Sequence, residues 1–209
     1  MGQVIKLTAS DGFKQGAYRA DPAGTPKAAI VVIQEIFGVN HHIRAVCDRL
    51  AAAGYIAIAP SIFDRIEPNF QCGYSPDEVA NARKFVANPD WAAMLLDTQA
   101  AIDAVRSVGP VGIIGFCLGG SIAYAAATKL SGLSAAVGYY GGAVVRFADD
   151  KPKVRSRLHH EDVLHCSLAA DGGQFPARLR ATTAAGRRPL SAALHRDPVE
   201  HHVAGLGHG

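Results

Sequence analysis

The sequence has no apolar run longer than a strand. That excludes a membrane-spanning helix, which needs about 20 consecutive apolar residues. Between Met1 and Gly12 there is no apolar stretch of signal-peptide length, so a cytoplasmic location is expected. Net charge is also in short supply. The 21 Lys and Arg against 18 Asp and Glu leave +3, too little to drive binding to nucleic acid or to an anionic membrane. The four cysteines, Cys47, Cys72, Cys117 and Cys166, form no CxxC pair and are widely spaced, which argues against a disulfide framework or a zinc site. Internal repeats and low-complexity tracts are absent. What remains is a globular chain of 209 residues, 49% hydrophobic, long enough for one domain with a substantial core.

Short apolar runs alternate with helical stretches, the pattern of an α/β fold with a mostly parallel sheet covered on both faces. Val4 to Thr8 predicts an edge strand, Ser10-Asp11-Gly12 a turn, and Gly16 to Tyr18 a second strand. Pro22, Gly24 and Pro26 mark residues 21–27 as a loop. Ala28 to Ile33 is continuously apolar and predicts a central strand. Ile43, Val46, Cys47 and Leu50 recur at helical spacing up to Gly54, a suitable helix terminator. Tyr55 to Ala59 reads as the next strand, closed by Pro60. Residues 61–90 are less regular, punctuated by Pro68, Pro76 and Pro89. They fit either a cover over a pocket or a plain crossover with one helix from Pro76 to Val86. Trp91 to Val105 predicts an amphipathic helix with Leu95, Ile102 and Val105 on its buried side. Leu133 to Tyr139 predicts a further strand that ends at Tyr140-Gly141-Gly142.

Residues 111–120 carry the chemistry. Val111 to Phe116 reads as a buried parallel strand and Ser121 to Thr128 as the helix after it, with Cys117 at the turn in a Gly-x-Cys-x-Gly-Gly nucleophile elbow. Gly115 and Gly119 leave room for a crowded turn, and Gly120 lets the helix pack close to the strand. A side chain at such an elbow stands at the sheet's carboxyl edge, where the helix N-terminus favours a thiolate. The plainer reading, a buried structural cysteine, stays open, because cysteine is among the most buried residue types. Glu35 has the same two sides. It follows the first central strand, at the edge where open α/β sheets bind ligands, yet a glutamate there can equally be solvated or cap a loop.

Residues 35–40 (Glu-Ile-Phe-Gly-Val-Asn), His42-Ile43-Arg44, Asp48-Arg49, Gly54-Tyr55, Gly115 to Gly120 and Gly138-Tyr139-Tyr140-Gly141-Gly142 together closely resemble the dienelactone hydrolase family, over most of residues 28–153. The resemblance implies an α/β-hydrolase fold and a Cys-His-Asp triad acting on dienelactone, an enol-lactone from the breakdown of chlorinated aromatics, or on related esters and lactones. Cys117 matches the nucleophile, and Glu35 the carboxylate that interacts with the thiol and helps form the thiolate when substrate binds. The backbone amides of Ile36 and Leu118 match the oxyanion-hole donors. Thiolate attack, an acyl-enzyme and hydrolysis by a histidine-activated water follow, with no metal or organic cofactor. His41 and His42 fit helix entry or surface roles better than catalysis. Tyr139 and Tyr140 either line the pocket floor or simply pack, and Arg83 is a candidate contact for a substrate carboxylate.

The composition breaks near Val154. All seven lysines and all thirteen isoleucines lie in residues 1–153, while residues 154–209 hold seven of the nine histidines and a single aromatic, Phe175. This divides the chain into an α/β-hydrolase core, 1–153, and a divergent tail, 154–209, in which no strand-length apolar run occurs. A coding-frame shift and a natural divergent or disordered tail both explain it. The triad's Asp and His fall in this tail. Residues 158–162 (Leu-His-His-Glu-Asp) are a gapped echo of the family's aspartate motif, and Gly205-Leu206-Gly207-His208-Gly209 of its histidine motif, which makes Asp162 and His208 the candidates. Asp171 with His201 or His202 is the substitute pair. The histidine motif ends before the family's aromatic residue, and the family's final helix has no counterpart.

Two functional readings follow: a working lactone or ester hydrolase, or a truncated relative that keeps a ligand pocket but lacks catalysis. A general carboxylesterase or thioesterase is the runner-up within the enzyme class, because the elbow does not specify the acyl group. The expected partner is a small lactone or ester substrate, and the protein is expected to be a monomer unless a partner covers sheet surface left exposed by the absent helix.

Overall fold

The computed structural model describes residues 2–147 and 149–159. Seven strands form one sheet: β1 (Gln3–Thr8), β2 (Lys14–Ala20), β3 (Ala29–Ile33), β4 (Ile56–Pro60), β5 (Val111–Phe116), β6 (Ala135–Tyr139) and β7 (Arg155–His159). Their spatial order is β1-β2-β4-β3-β5-β6-β7. β1 and β2 pair antiparallel, as do β2 and β4; all other pairs are parallel. The helices are α1 (His41–Ala52), α2 (Pro76–Lys84), α3 (Trp91–Val105) and α4 (Leu118–Lys129).

The two-residue period of the strands sorts the core into two layers. In β3, Val31 and Ile33 pack with α3 and α4 on one face, through Ile102, Val105 and Ile122. Ile30 and Val32 pack on the other against Ile43, Val46, Cys47 and Leu50 of α1. In β4, Ile56 and Ile58 join the first layer, Ala57 and Ala59 the second. Each fully buried aliphatic side chain contributes on the order of 1.5–3 kcal/mol, so the central strands hold the sheet.

Local signals set the helix starts. Asn40 caps α1, accepting from the amides of His42 at 3.1 Å and Ile43 at 3.3 Å. Ser75 and Glu78 form a reciprocal capping box on α2, with Pro76 in its first turn, and Asp90 caps α3. Gly54, just past α1, takes φ of +94°, the left-handed conformation that ends a helix. No helix among the described residues is long and apolar enough to cross a membrane.

Two elements differ from the sequence expectation, and one open alternative is narrowed. The helix predicted from Ser121 starts at Leu118, so Gly119 and Gly120 lie inside it, where their missing side chains let it touch the sheet. The crossover carries the expected helix, α2, and its preceding stretch lies on the turn after β3: Gln71 forms a β-bridge with Gly38, and the Cys72 amide donates to the Phe37 carbonyl at 3.1 Å. The other difference is β7, a strand that starts at Arg155, immediately past the compositional break at Val154. It alternates exposed Arg155 and Arg157 with half-buried Ser156 and Leu158, so it pairs through its backbone and needs no continuous apolar run.

Candidate active site

Three parallel strands carry the site to one rung of the sheet's carboxyl edge. Ile33 of β3 pairs with Gly115 of β5, and Gly115 pairs with Gly138 of β6. Two residues beyond that rung the three chains reach Glu35, Cys117 and Tyr140, placing the nucleophile candidate on the strand between the other two.

Cys117 has φ of +53° and ψ of −115°, a backbone state that costs a non-glycine residue about 1–3 kcal/mol. The surroundings enforce it. Its amide donates to the Tyr139 carbonyl at 3.0 Å. A Cβ on Gly115 would strike the Gly119 carbonyl, and one on Gly119 would strike the Ile33 carbonyl. The glycines therefore permit an approach of backbone to backbone that no other residue allows. Cys117 occupies the N-cap position of α4, and Leu118, the second oxyanion-hole candidate, is the helix's first residue, where amides lack an intrahelical acceptor. Cys117 is half-buried.

Glu35 is half-buried in the turn after β3, and its Oε1 accepts a hydrogen bond from the Tyr140 hydroxyl at 3.0 Å. Ile36 follows in the same turn and packs against the core. The buried Gln34 stabilises the turn: its Nε2 donates to the Glu35 carbonyl and its Oε1 accepts from the Ile62 amide, both at 3.3 Å. Gly38, at φ of +75°, lies so close to Phe70 that a Cβ would strike the Phe70 carbonyl, which seats residues 70–72 against the turn. Asn40 donates through Nδ2 to the Tyr74 hydroxyl at 3.2 Å, and the Tyr74 ring packs edge-on to Phe37 at 4.8 Å.

His41 and His42 open α1. His41 is exposed, whereas His42 lies 6.3 Å from the Phe116 ring. Burial pushes the His42 imidazole below its ordinary value, with the charge of Glu35 working in the opposite direction. The Phe116 ring stacks on Tyr139 at 5.3 Å. Arg83 is exposed in the last turn of α2. Asp162, His208, Asp171, His201 and His202 lie outside the described residues. β7 nonetheless brings Leu158 and His159, the start of the aspartate motif, to the same carboxyl edge as Cys117. Among the described residues no group of three or more His, Cys, Asp and Glu could hold a metal ion.

Residue order alone does not decide between lining and packing for Tyr140, and nothing in it marks Gln34. The signal for Tyr140 was present in the Gly-Tyr-Tyr-Gly-Gly run, but only the sheet order shows which neighbour its hydroxyl reaches.

A strained residue between a parallel strand and a helix, on a sheet of this order, defines an α/β-hydrolase-fold enzyme. The model of the Dienelactone hydrolase family matches residues 16–170, and the chain belongs to that family. The "Putative carboxymethylenebutenolidase" of Synechocystis sp. is 41% identical over 203 residues, covering 92% of this chain and 79% of that protein. The carboxymethylenebutenolidase of Pseudomonas putida is 33% identical, covering 96% of this chain and 85% of that protein. Both alignments cover more of the chain than residues 1–153 contain. Among solved structures, the "Putative Dienelactone Hydrolase" of Klebsiella pneumoniae superposes with a TM-score of 0.59 at 30% identity, over 76% of this chain and 71% of that one. The chain is a hydrolase of the lactone and ester type.

Proposed function

We propose that this hydrolase opens a dienelactone-type lactone, or cleaves a related ester, through the Cys117 thiolate and a covalent acyl-enzyme. The observation that carries the reading is that Glu35 and Cys117 each follow, two residues on, the paired Ile33 and Gly115 of adjacent parallel strands, with Cys117 in a strained turn at the sheet's carboxyl edge. The Cys117 thiol gives its proton to the Glu35 carboxylate, and the thiolate adds to the lactone carbonyl carbon. The amides of Ile36 and Leu118 stabilise the oxyanion. Collapse breaks the ring C–O bond, leaving a thioester and an oxygen that recovers the proton from Glu35. Water, deprotonated by His208 with Asp162 as its partner, then attacks the thioester and regenerates the enzyme.

The test is hydrolysis of a dienelactone by the 209-residue chain beside Cys117→Ala and His208→Ala. Turnover abolished in the first variant and reduced by about 10³-fold or more in the second supports the reading. Turnover retained in Cys117→Ala overturns it.

A further inference from the structure

The hydrogen bond between Tyr140 and Glu35 spans the nucleophile strand. Tyr140 follows β6 and Glu35 follows β3; β5, which ends at Cys117, lies between those strands. Neighbouring strands in a sheet stand about 4.8 Å apart, so two side chains that meet from β3 and β6 must cross the line of Cys117. The phenol supplies most of that reach, and the contact is a charge-assisted bond of 3.0 Å to one carboxylate oxygen, Oε1.

The Tyr140 backbone is held where a side chain of its size is disfavoured. Its φ is +41°, one of three positive values among the described non-glycine residues; another is Cys117. Contacts to α4 keep it there. A Cβ on Gly141 would lie 2.7 Å from the Ser121 amide nitrogen, and the Ala143 amide donates to Ser121 Oγ at 3.0 Å. The residue before Tyr140 accepts the Cys117 amide. The loop that aims the phenol is therefore built onto the same helix end that aims the thiol. Strain kept by surrounding structure at such a place is a mark of function more than of packing.

We infer that Tyr140 is a positioning residue: its hydroxyl holds Oε1 of Glu35 and thereby turns Oε2 toward the Cys117 thiol as the acceptor of its proton. This rests on the role proposed above for Glu35 and Cys117. Tyr140 itself exchanges no proton in the step; Sγ–H breaks, Oε2–H forms, and the phenol keeps its hydrogen. Without the hydroxyl the carboxylate is free to rotate, and fewer encounters carry it to the thiol.

The experiment compares Tyr140→Phe, Glu35→Gln and the double variant by two readouts: the rate at which iodoacetamide alkylates Cys117, which needs no substrate, and kcat and KM on a dienelactone. Tyr140→Phe is expected to slow alkylation and lower kcat by about tenfold with KM nearly unchanged, as loss of one charge-assisted bond predicts. In the Glu35→Gln background the same substitution is expected to do nothing further, because the group it positions is gone. Equal losses in both backgrounds would mean a packing role and overturn the inference, as would a Tyr140→Phe variant with unchanged alkylation. Cys117→Ala run alongside separates the failures: retained turnover there sinks the nucleophile assignment, while its loss beside an indifferent Tyr140→Phe sinks only the positioning role.

Discussion

The Cys117 amide donates to the Tyr139 carbonyl at 3.0 Å, so the turn that presents the thiol is tied to the end of the neighbouring strand. Gly120 guards that bond, because a Cβ there would strike the same carbonyl. Gly120→Ala must push β6 away from α4 and is expected to cost more than about 3 kcal/mol, beyond ordinary overpacking, because backbone cannot turn aside as a side chain does. Thermal unfolding reads the loss. A variant as stable as the parent would show that the two chains are not packed this closely.

Cysteine reactivity should divide along the fold. Cys47 is fully buried in the α1 layer, and burial pushes its thiol up to about 12. Burial also raises the Cys72 thiol. Native protein treated with iodoacetamide at about pH 7.5 is expected to label Cys117 before Cys72 and leave Cys47 untouched until the chain unfolds, as peptide mass spectrometry would show. Early labelling of Cys47 would contradict the packing of α1 on the sheet.

A buried carboxylate makes α3 dependent on one arginine. Asp97 is fully buried, and Arg65 grips it through two bonds of 2.8 and 2.9 Å while also holding Asp11. Burial raises the Asp97 carboxyl, and the Arg65 charge works against that rise. Arg65→Met leaves the carboxylate uncompensated and is expected to destabilise by about 3 kcal/mol, the low end for a buried pair since Arg65 is partly exposed. The sign with pH is definite. A folded-state value raised above the unfolded one means that the folded chain binds the extra proton, so the variant loses stability as pH rises through the carboxylate range. Urea midpoints across that range test it; a deficit that shrinks as pH rises would refute it.

His42 should act in the opposite direction. Burial against Phe116 holds its imidazole below the ordinary value, so as pH falls through that value the unfolded chain takes up the proton first. The chain is expected to lose stability between about pH 7.5 and about pH 5.5, and His42→Gln to lose less over the same interval. Identical slopes in the two proteins would remove His42 as the cause.

Much of the fold is legible in residue order because its causes are local. Alternating or continuous apolar residues mark β3, β4 and β5, Asn40 and Ser75 mark helix starts, and the glycines around Cys117 mark an elbow whatever surrounds them. Two kinds of feature escaped. β7 has alternating polar residues, and its pairing depends on β6 already being there. Residue order also puts the start of α4 too late, because glycine disfavours helix interiors and only contact with the sheet explains Gly119 and Gly120 inside one.

The sequence by itself determined the family, and it set a cysteine at a strand–helix turn and a glutamate after the first central strand. The tertiary structure decided which of those residues meet. β3 pairs with β5 across 77 intervening residues that include β4, so no local pattern could place Glu35 beside Cys117, or carry the Tyr140 hydroxyl across the elbow to it. That choice belongs to strand order, set by burying both faces of β3 and β5 at once, a property of the whole sheet and of no single segment.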